Sequence, residues 1–190
     1  MKALVAIAVV AVTLMLAPVP IAYAQEGPGF SFDANIGGGH AFGGGHLNVR
    51  GFGSADGMLA IGRRRPSVSS VLLGLAVNVQ QKFGSRADEC VIVVDFPTCL
   101  PSFPNLTSVA LLGGVSHAAP LAGSVAVMGG AGTYFVEGGG TAFGFQGRID
   151  AGSGIRAHTA IVLSLRGSLL PNLQGSAFTT VEAGLGFRIQ

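Results

Sequence analysis

The stretch Val71-Leu72-Leu73-Gly74-Leu75-Ala76-Val77-Asn78-Val79-Gln80 decides the class of the fold. Val71, Leu73, Leu75, Val77 and Val79 recur at every second position, with Gly74, Ala76, Asn78 and Gln80 between them. A period of two marks a β-strand with one apolar and one small or polar face, because successive side chains of a strand point to opposite sides. Helix competes poorly here, since a glycine inside a helix costs about 1 kcal/mol relative to alanine.

Outward from this segment the same alternation recurs in runs of about ten residues, bounded by Gly, Pro, Ser or Asp. Toward the N-terminus, Phe30, Phe32, Ala34 and Ile36 alternate with Ser31, Asp33 and Asn35. A second segment, from Asp56 to Arg63, sets Met58, Ala60 and Gly62 against Leu59, Ile61 and Arg63. Toward the C-terminus, Leu106 to Ser116 carries Val109, Leu111 and Val115, and Ser124 to Phe135 opens with Val125 and Val127. From Thr141 to Asp150, Phe143, Phe145 and Ile149 alternate with Gly144, Gln146, Arg148 and Asp150. Thr159, Ile161, Leu163 and Leu165 then oppose His158, Ala160, Ser164 and Arg166. Val181, Ala183, Leu185, Phe187 and Ile189 oppose Glu182, Gly184, Gly186 and Arg188. The runs predict eight strands.

Composition says which way the faces turn. The chain of 190 residues is 49% hydrophobic and 11% charged, with 31 glycines and a mean hydropathy of +0.58, which excludes a disordered polymer. A soluble sandwich or barrel hides its apolar face and decorates the other with Lys, Glu and Asp, yet beyond position 24 there is one lysine, Lys82. The inverse arrangement accounts for this: apolar residues face lipid, small and polar ones fill a narrow interior, and closure satisfies every backbone donor and acceptor. The predicted fold is all-β, an eight-stranded antiparallel up-and-down transmembrane β-barrel.

The N-terminal segment reads differently. Lys2, the apolar run Ala3 to Leu16, the breakers Pro18 and Pro20 and the small-residue site Ala22-Tyr23-Ala24 predict a cleaved signal peptide over residues 1–24. The barrel domain then runs from Gln25 to Gln190. Without Lys2, the 11 basic residues fall close to the 9 acidic ones, which leaves no electrostatic case for nucleic acid. Export places Cys90 and Cys99 where a disulfide forms and persists, and closing a loop of that length contributes about 2.5 to 3 kcal/mol in the chain-entropy picture.

The last strand, Gly184-Leu185-Gly186-Phe187-Arg188-Ile189-Gln190, and the internal Phe143-Gly144-Phe145-Gln146-Gly147-Arg148-Ile149-Asp150 resemble strands of the small bacterial outer-membrane β-barrels, the group around OmpX, the OmpA membrane domain and OmpW. The resemblance covers Gln25 to Gln190. It implies outer-membrane lipid as the surroundings, the barrel-insertion machinery as a partner during assembly, and aromatic girdles for which Phe30, Phe135, Phe143 and Phe187 are candidates. With the N-terminus in the periplasm, the segments from Ala41 to Ala55, Phe83 to Asn105, Glu137 to Gly140 and Gly167 to Ser176 face outside.

Asp33, Arg148, Asp150, His158, Arg166, Glu182 and Arg188 fall on polar faces, and in a narrow barrel they are expected to meet as an ion-pair network, because a buried unpaired charge is costly. His40 and His46 flank Gly37 to Gly45 without the carboxylate support of a metal site, and the glycines match no phosphate-binding fingerprint. His158-Thr159-Ala160 lacks the His-x-Ser spacing of the lipid A deacylases, the barrel enzymes of this size. The sequence therefore predicts no catalytic residue, cofactor or metal. It points to a non-enzymatic barrel with a filled lumen, structural or interacting through its external loops. A narrow channel for small or apolar solutes and a soluble periplasmic barrel holding an apolar ligand remain as alternatives.

Overall fold

The computed structural model describes residues 28–43, 51–63, 70–82, 90–93, 96–99, 105–119, 123–137, 140–156, 158–173 and 175–190. The signal segment 1–24 and His46 lie outside the described residues. The strands are β1 (Pro28–Gly43), β2 (Gly51–Arg63), β3 (Ser70–Lys82), β4 (Cys90–Val93), β5 (Phe96–Cys99), β6 (Leu106–Ala119), β7 (Gly123–Val136), β8 (Thr141–Arg156), β9 (Thr159–Leu173) and β10 (Ser176–Ile189). Eight of them form one closed barrel, in the order β1-β10-β9-β8-β7-β6-β3-β2, while β4 and β5 make a separate two-stranded sheet. Every pairing is antiparallel.

Register explains the shape. Followed once around the barrel, the partners of Ser31 are Ala60, Gly74, Leu112, Gly130, Gln146, Ser168 and Thr180, and the circuit rejoins β1 at Ala41, ten residues beyond its start. Such a stagger tilts the strands by roughly 35–45° from the barrel axis and makes a bore narrow enough for side chains to fill. Interior strand segments must then coil closely past one another. At Gly37 a Cβ would run into the carbonyl oxygen of Ala183 on β10, so only glycine fits.

The alternation of the opening stretch is the alternation of wall and bore. Val71, Leu73, Leu75 and Val77 are 42–74% exposed, while Leu72, Ala76, Asn78 and Gln80 are at most 3% exposed. The same holds on the other strands, where Phe30, Leu111, Phe143, Ile149, Leu163 and Ile189 project outward. Large apolar side chains thus sheathe the outside, which is the burial pattern of a soluble barrel turned inside out.

Three expectations need correction. The barrel strands run to 13–16 residues, longer than the expected ten, because pairing continues beyond the apolar band at both ends. Residues 41–43, 51–55 and 167–173, read from the sequence as outer loops, are ends of β1, β2 and β9. Pro171 misled the reading of β9; it lies where the register with β10 shifts between Ser176 and Phe178, so no ladder hydrogen bond requires its missing N–H. Nor is the interior only small and polar. Phe52, Leu106, Tyr134, Leu170, Leu173 and Phe178 cluster inside the end where strands β1 to β2, β7 to β8 and β9 to β10 connect, and Met58, Leu72, Leu112 and Met128 form a second buried cluster. Tyr134 therefore points inward, while Phe30, Phe135, Phe143 and Phe187 stand outside.

Candidate functional site

The interior charges sit on inward positions of strands whose outward positions are Phe, Ile, Leu and Val, so their placement follows from strand parity alone. On β10 the inward series from the loop end is Phe178, Thr180, Glu182, Gly184, Gly186 and Arg188; on β8 it is Ala142, Gly144, Gln146, Arg148 and Asp150. Registration then decides which charges meet. Asp33 of β1 lies directly across from Arg188 of β10. The guanidinium grips the carboxylate with both forks, Nε donating to Oδ1 and Nη2 to Oδ2 at 2.6 Å each, and Nη2 also donates to Asp150 Oδ2 at 3.1 Å. Two parallel charge-assisted bonds fix both planes, which a lysine in this place cannot do.

Arg148 and Arg166 pose the opposite problem. They are direct partners across β8 and β9, and like charges in that relation repel. The compensation comes from the other side of the bore. Asp56 of β2 puts Oδ2 at 2.6 Å from Arg148 Nη1 and Oδ1 at 2.5 Å from Arg166 Nη2, one carboxylate bridging both guanidiniums. Arg148 Nε also donates to Asp150 Oδ1 at 2.7 Å, and its Nη2 stands 3.7 Å from Asp33 Oδ2. Arg166 Nη1 reaches its cross-strand neighbour Glu182 at Oε1, 2.8 Å.

Neutral amides complete the set: Asn35 Nδ2 donates to Asp56 at 3.2 Å and Asn78 Nδ2 to Glu182 Oε1 at 2.7 Å. The side chains of Asp33, Arg148, Asp150, Arg166, Glu182 and Arg188 are no more than 4% exposed, and that of Asp56 is 6% exposed. In so dry a place each charge is tolerable only because its partners are within hydrogen-bonding distance. The contacts from Asp56 to Arg148 and from Asn78 to Glu182 cross the bore, tying β2 to β8 and β3 to β10. Chemically the arrangement can hold opposing walls together. It offers no exposed nucleophile.

Of the residues singled out from the sequence, Asp33, Arg148, Asp150, Arg166, Glu182 and Arg188 come together. His158 does not: it lies exposed in the turn between β8 and β9, where its carbonyl accepts the Gln190 backbone N–H at 3.0 Å. Its parity matched the inward positions, but the strand register slips at that turn, between Gly154 and Arg156, and β9 begins only at Thr159. Asp56 is the member that sequence reasoning missed. Its signal was there, because Asp56 shares the parity of Met58 and Ala60 and so belongs on the inward face; as the first residue of the predicted strand Asp56 to Arg63 it was not counted with the polar face. His40 lies exposed on β1, its ring 4.8 Å from that of Phe42. Cys90 and Cys99 are direct cross-strand partners in the β4–β5 sheet. Among the described residues, no group of three or more His, Cys, Asp or Glu side chains is placed to hold a metal.

No protein-family model matches the chain, and no curated protein matches it. Among solved structures it is similar to neisserial surface protein A, with a TM-score of 0.55 at 10% sequence identity, covering 86% of this chain and 99% of that one. A second similarity, to Ail, the attachment invasion locus protein of Yersinia pestis, has a TM-score of 0.45 at 14% identity and covers 87% and 100% of the two chains. At such identities the first likeness bears on the fold alone. In fold, this chain is a closed eight-stranded antiparallel up-and-down barrel resembling the small outer-membrane barrels.

Proposed function

We propose that the chain is a non-enzymatic outer-membrane barrel with a filled lumen, which acts structurally or through contacts made by its external loops. The observation that carries this reading is the set of ion pairs crossing the bore, led by the bridge from Asp56 to Arg148 and Arg166. A solute path down the axis would have to break these contacts, at a cost of about 3–5 kcal/mol for each buried charge left without its partner. The apolar cluster of Phe52, Leu106, Tyr134, Leu170 and Phe178 at the loop end adds a dry layer above them.

The sheath of exposed Phe, Leu, Ile and Val favours lipid as the surroundings over water. On this reading residues 1–24 are the export signal, the barrel-insertion machinery assembles the chain, and its lipid partner is that of the outer membrane. We further propose that Cys90 and Cys99, opposite one another in β4 and β5, are joined as a disulfide that holds the outer hairpin. Directly opposed strand residues fall within the Cα separation that a disulfide spans.

The test combines location and conductance. The protein should stay with membranes through a carbonate wash, migrate anomalously on gels until heated, and give no current steps in planar bilayers. Release by carbonate would overturn the membrane reading, and reproducible current steps would overturn the filled lumen. Non-reducing gels of the wild type and of Cys90→Ser test the disulfide by a shift in mobility.

A further inference from the structure

The charged cluster has an uneven inventory. Among the described residues it holds four carboxylates, Asp33, Asp56, Asp150 and Glu182, against three guanidiniums, Arg148, Arg166 and Arg188. Both oxygens of each aspartate, and Oε1 of Glu182, take a guanidinium nitrogen. Glu182 Oε2 is the remaining carboxylate oxygen, and it is buried without a hydrogen-bond partner. Further buried side-chain oxygens are in the same condition, Asn78 Oδ1, Gln80 Oε1, Gln146 Oε1 and Thr180 Oγ1, on residues that are 1–3% exposed, and so are the donors Gln80 Nε2, Gln146 Nε2, Arg166 Nε and, its ion pair apart, Arg166 Nη1.

Register brings these groups to neighbouring levels of the bore. The hydrogen bond from Asn78 to Glu182 joins β3 and β10 across the interior. Gln80 and Thr180 are the next inward residues of those two strands toward the loop end. Gln146 is the partner of Ser168, which is in turn the partner of Thr180, and because the line of pairing climbs toward the loop end as it goes from β8 to β10, Gln146 lies nearer the level of Glu182, one inward position below Thr180. Carboxylate, amide carbonyl and hydroxyl oxygens are the ligand set of a hard cation. A buried carboxylate oxygen that no donor reaches is costly unless a positive charge joins it.

We propose that Glu182 Oε2, with the side-chain oxygens of Asn78, Gln80, Gln146 and Thr180, binds a small hard cation inside the barrel. The ion supplies the positive charge that the three arginines leave short, and it links β3, β8 and β10 just beneath the apolar cluster at the loop end. The proposal rests on the filled-lumen reading only for the seal that keeps the ion in place; conductance tests that reading, and cation dependence tests this one.

The experiment uses the refolded barrel in detergent micelles, in choline, sodium, potassium or calcium chloride at one ionic strength. The unfolding midpoint is followed by the heat-dependent gel shift, and metal content is measured after exchange into choline. One of the inorganic cations should raise the midpoint by several degrees above that in choline, as ligand linkage requires, and should stay with the barrel through the exchange. Replacing Gln80→Leu together with Gln146→Leu should abolish both effects while the barrel still folds and keeps its choline midpoint, because apolar side chains of similar size need no partner. Equal midpoints in all four salts with no retained metal would overturn the proposal. A cation dependence that appears only after Lys82→Gln would also overturn it, since the chain's own ammonium would then be the charge that serves Glu182.

Discussion

The two halves of the bore are built from different materials. Strands β2, β3, β6 and β7 fill their side with Met58, Leu72, Leu112, Met128 and four alanines. Strands β8, β9, β10 and β1 fill theirs with Arg148, Asp150, Arg166, Glu182, Arg188 and Asp33. Both sets are buried, and both sit behind the same outward row of apolar residues. The apolar half is held by volume and dispersion, which tolerate exchange of one hydrocarbon shape for another. In the charged half the hold comes from direction and stoichiometry, so that losing one partner strands another. Asp56 is the charged residue that joins them, standing on an apolar-half strand and bridging two arginines of the other half, and Asn78 of β3 adds a neutral hydrogen bond to Glu182.

That contrast predicts a graded response to substitution. The largest loss should follow Asp56→Ala, which leaves Arg148 and Arg166 opposed without their shared carboxylate and should cost about 3–5 kcal/mol of unfolding free energy, read from urea titration in micelles. In the apolar half, Met128→Ala should cost about 2–3 kcal/mol through the cavity it leaves, while Met128→Leu should cost less than about 1.5 kcal/mol. If the leucine variant is as damaged as the alanine variant, the apolar half is not governed by volume. Two glycines come last, and the second of them should show the smallest effect of all. Gly37→Ala drives a Cβ into the Ala183 carbonyl and should cost about 1–3 kcal/mol. Gly147→Ala, on the outward face with nothing within 4 Å of the added carbon, should stay within about 0.5 kcal/mol of wild type.

Much of this architecture was legible in the chain, and for a physical reason. Strand parity is local: Val71 to Gln80 names wall and bore without reference to any other strand, and the same rule assigns Arg148, Asp150, Arg166, Glu182 and Arg188 to the inside. What local pattern lacks is the register, which depends on how eight strands close. The pairing of Arg148 with Arg166, and so the need for Asp56 between them, comes from the stagger of the whole circuit. His158 shows the converse failure, a residue with inward parity that the register slip carries into an exposed turn. Gly37 to Gly43 and Pro171 were hidden because glycine and proline ordinarily signal turns, whereas here close strand coiling and a local register shift use them within strands.

The central claim is that Asp56 and Arg166, on different strands and from the two unlike halves, act as one unit. A double-mutant cycle with Asp56→Asn and Arg166→Gln, read as unfolding free energies in micelles, measures it directly. The bridge predicts a coupling well above about 1 kcal/mol, because once either partner is gone the second loss costs little. Two single losses that simply add, to within about 0.5 kcal/mol, would contradict it.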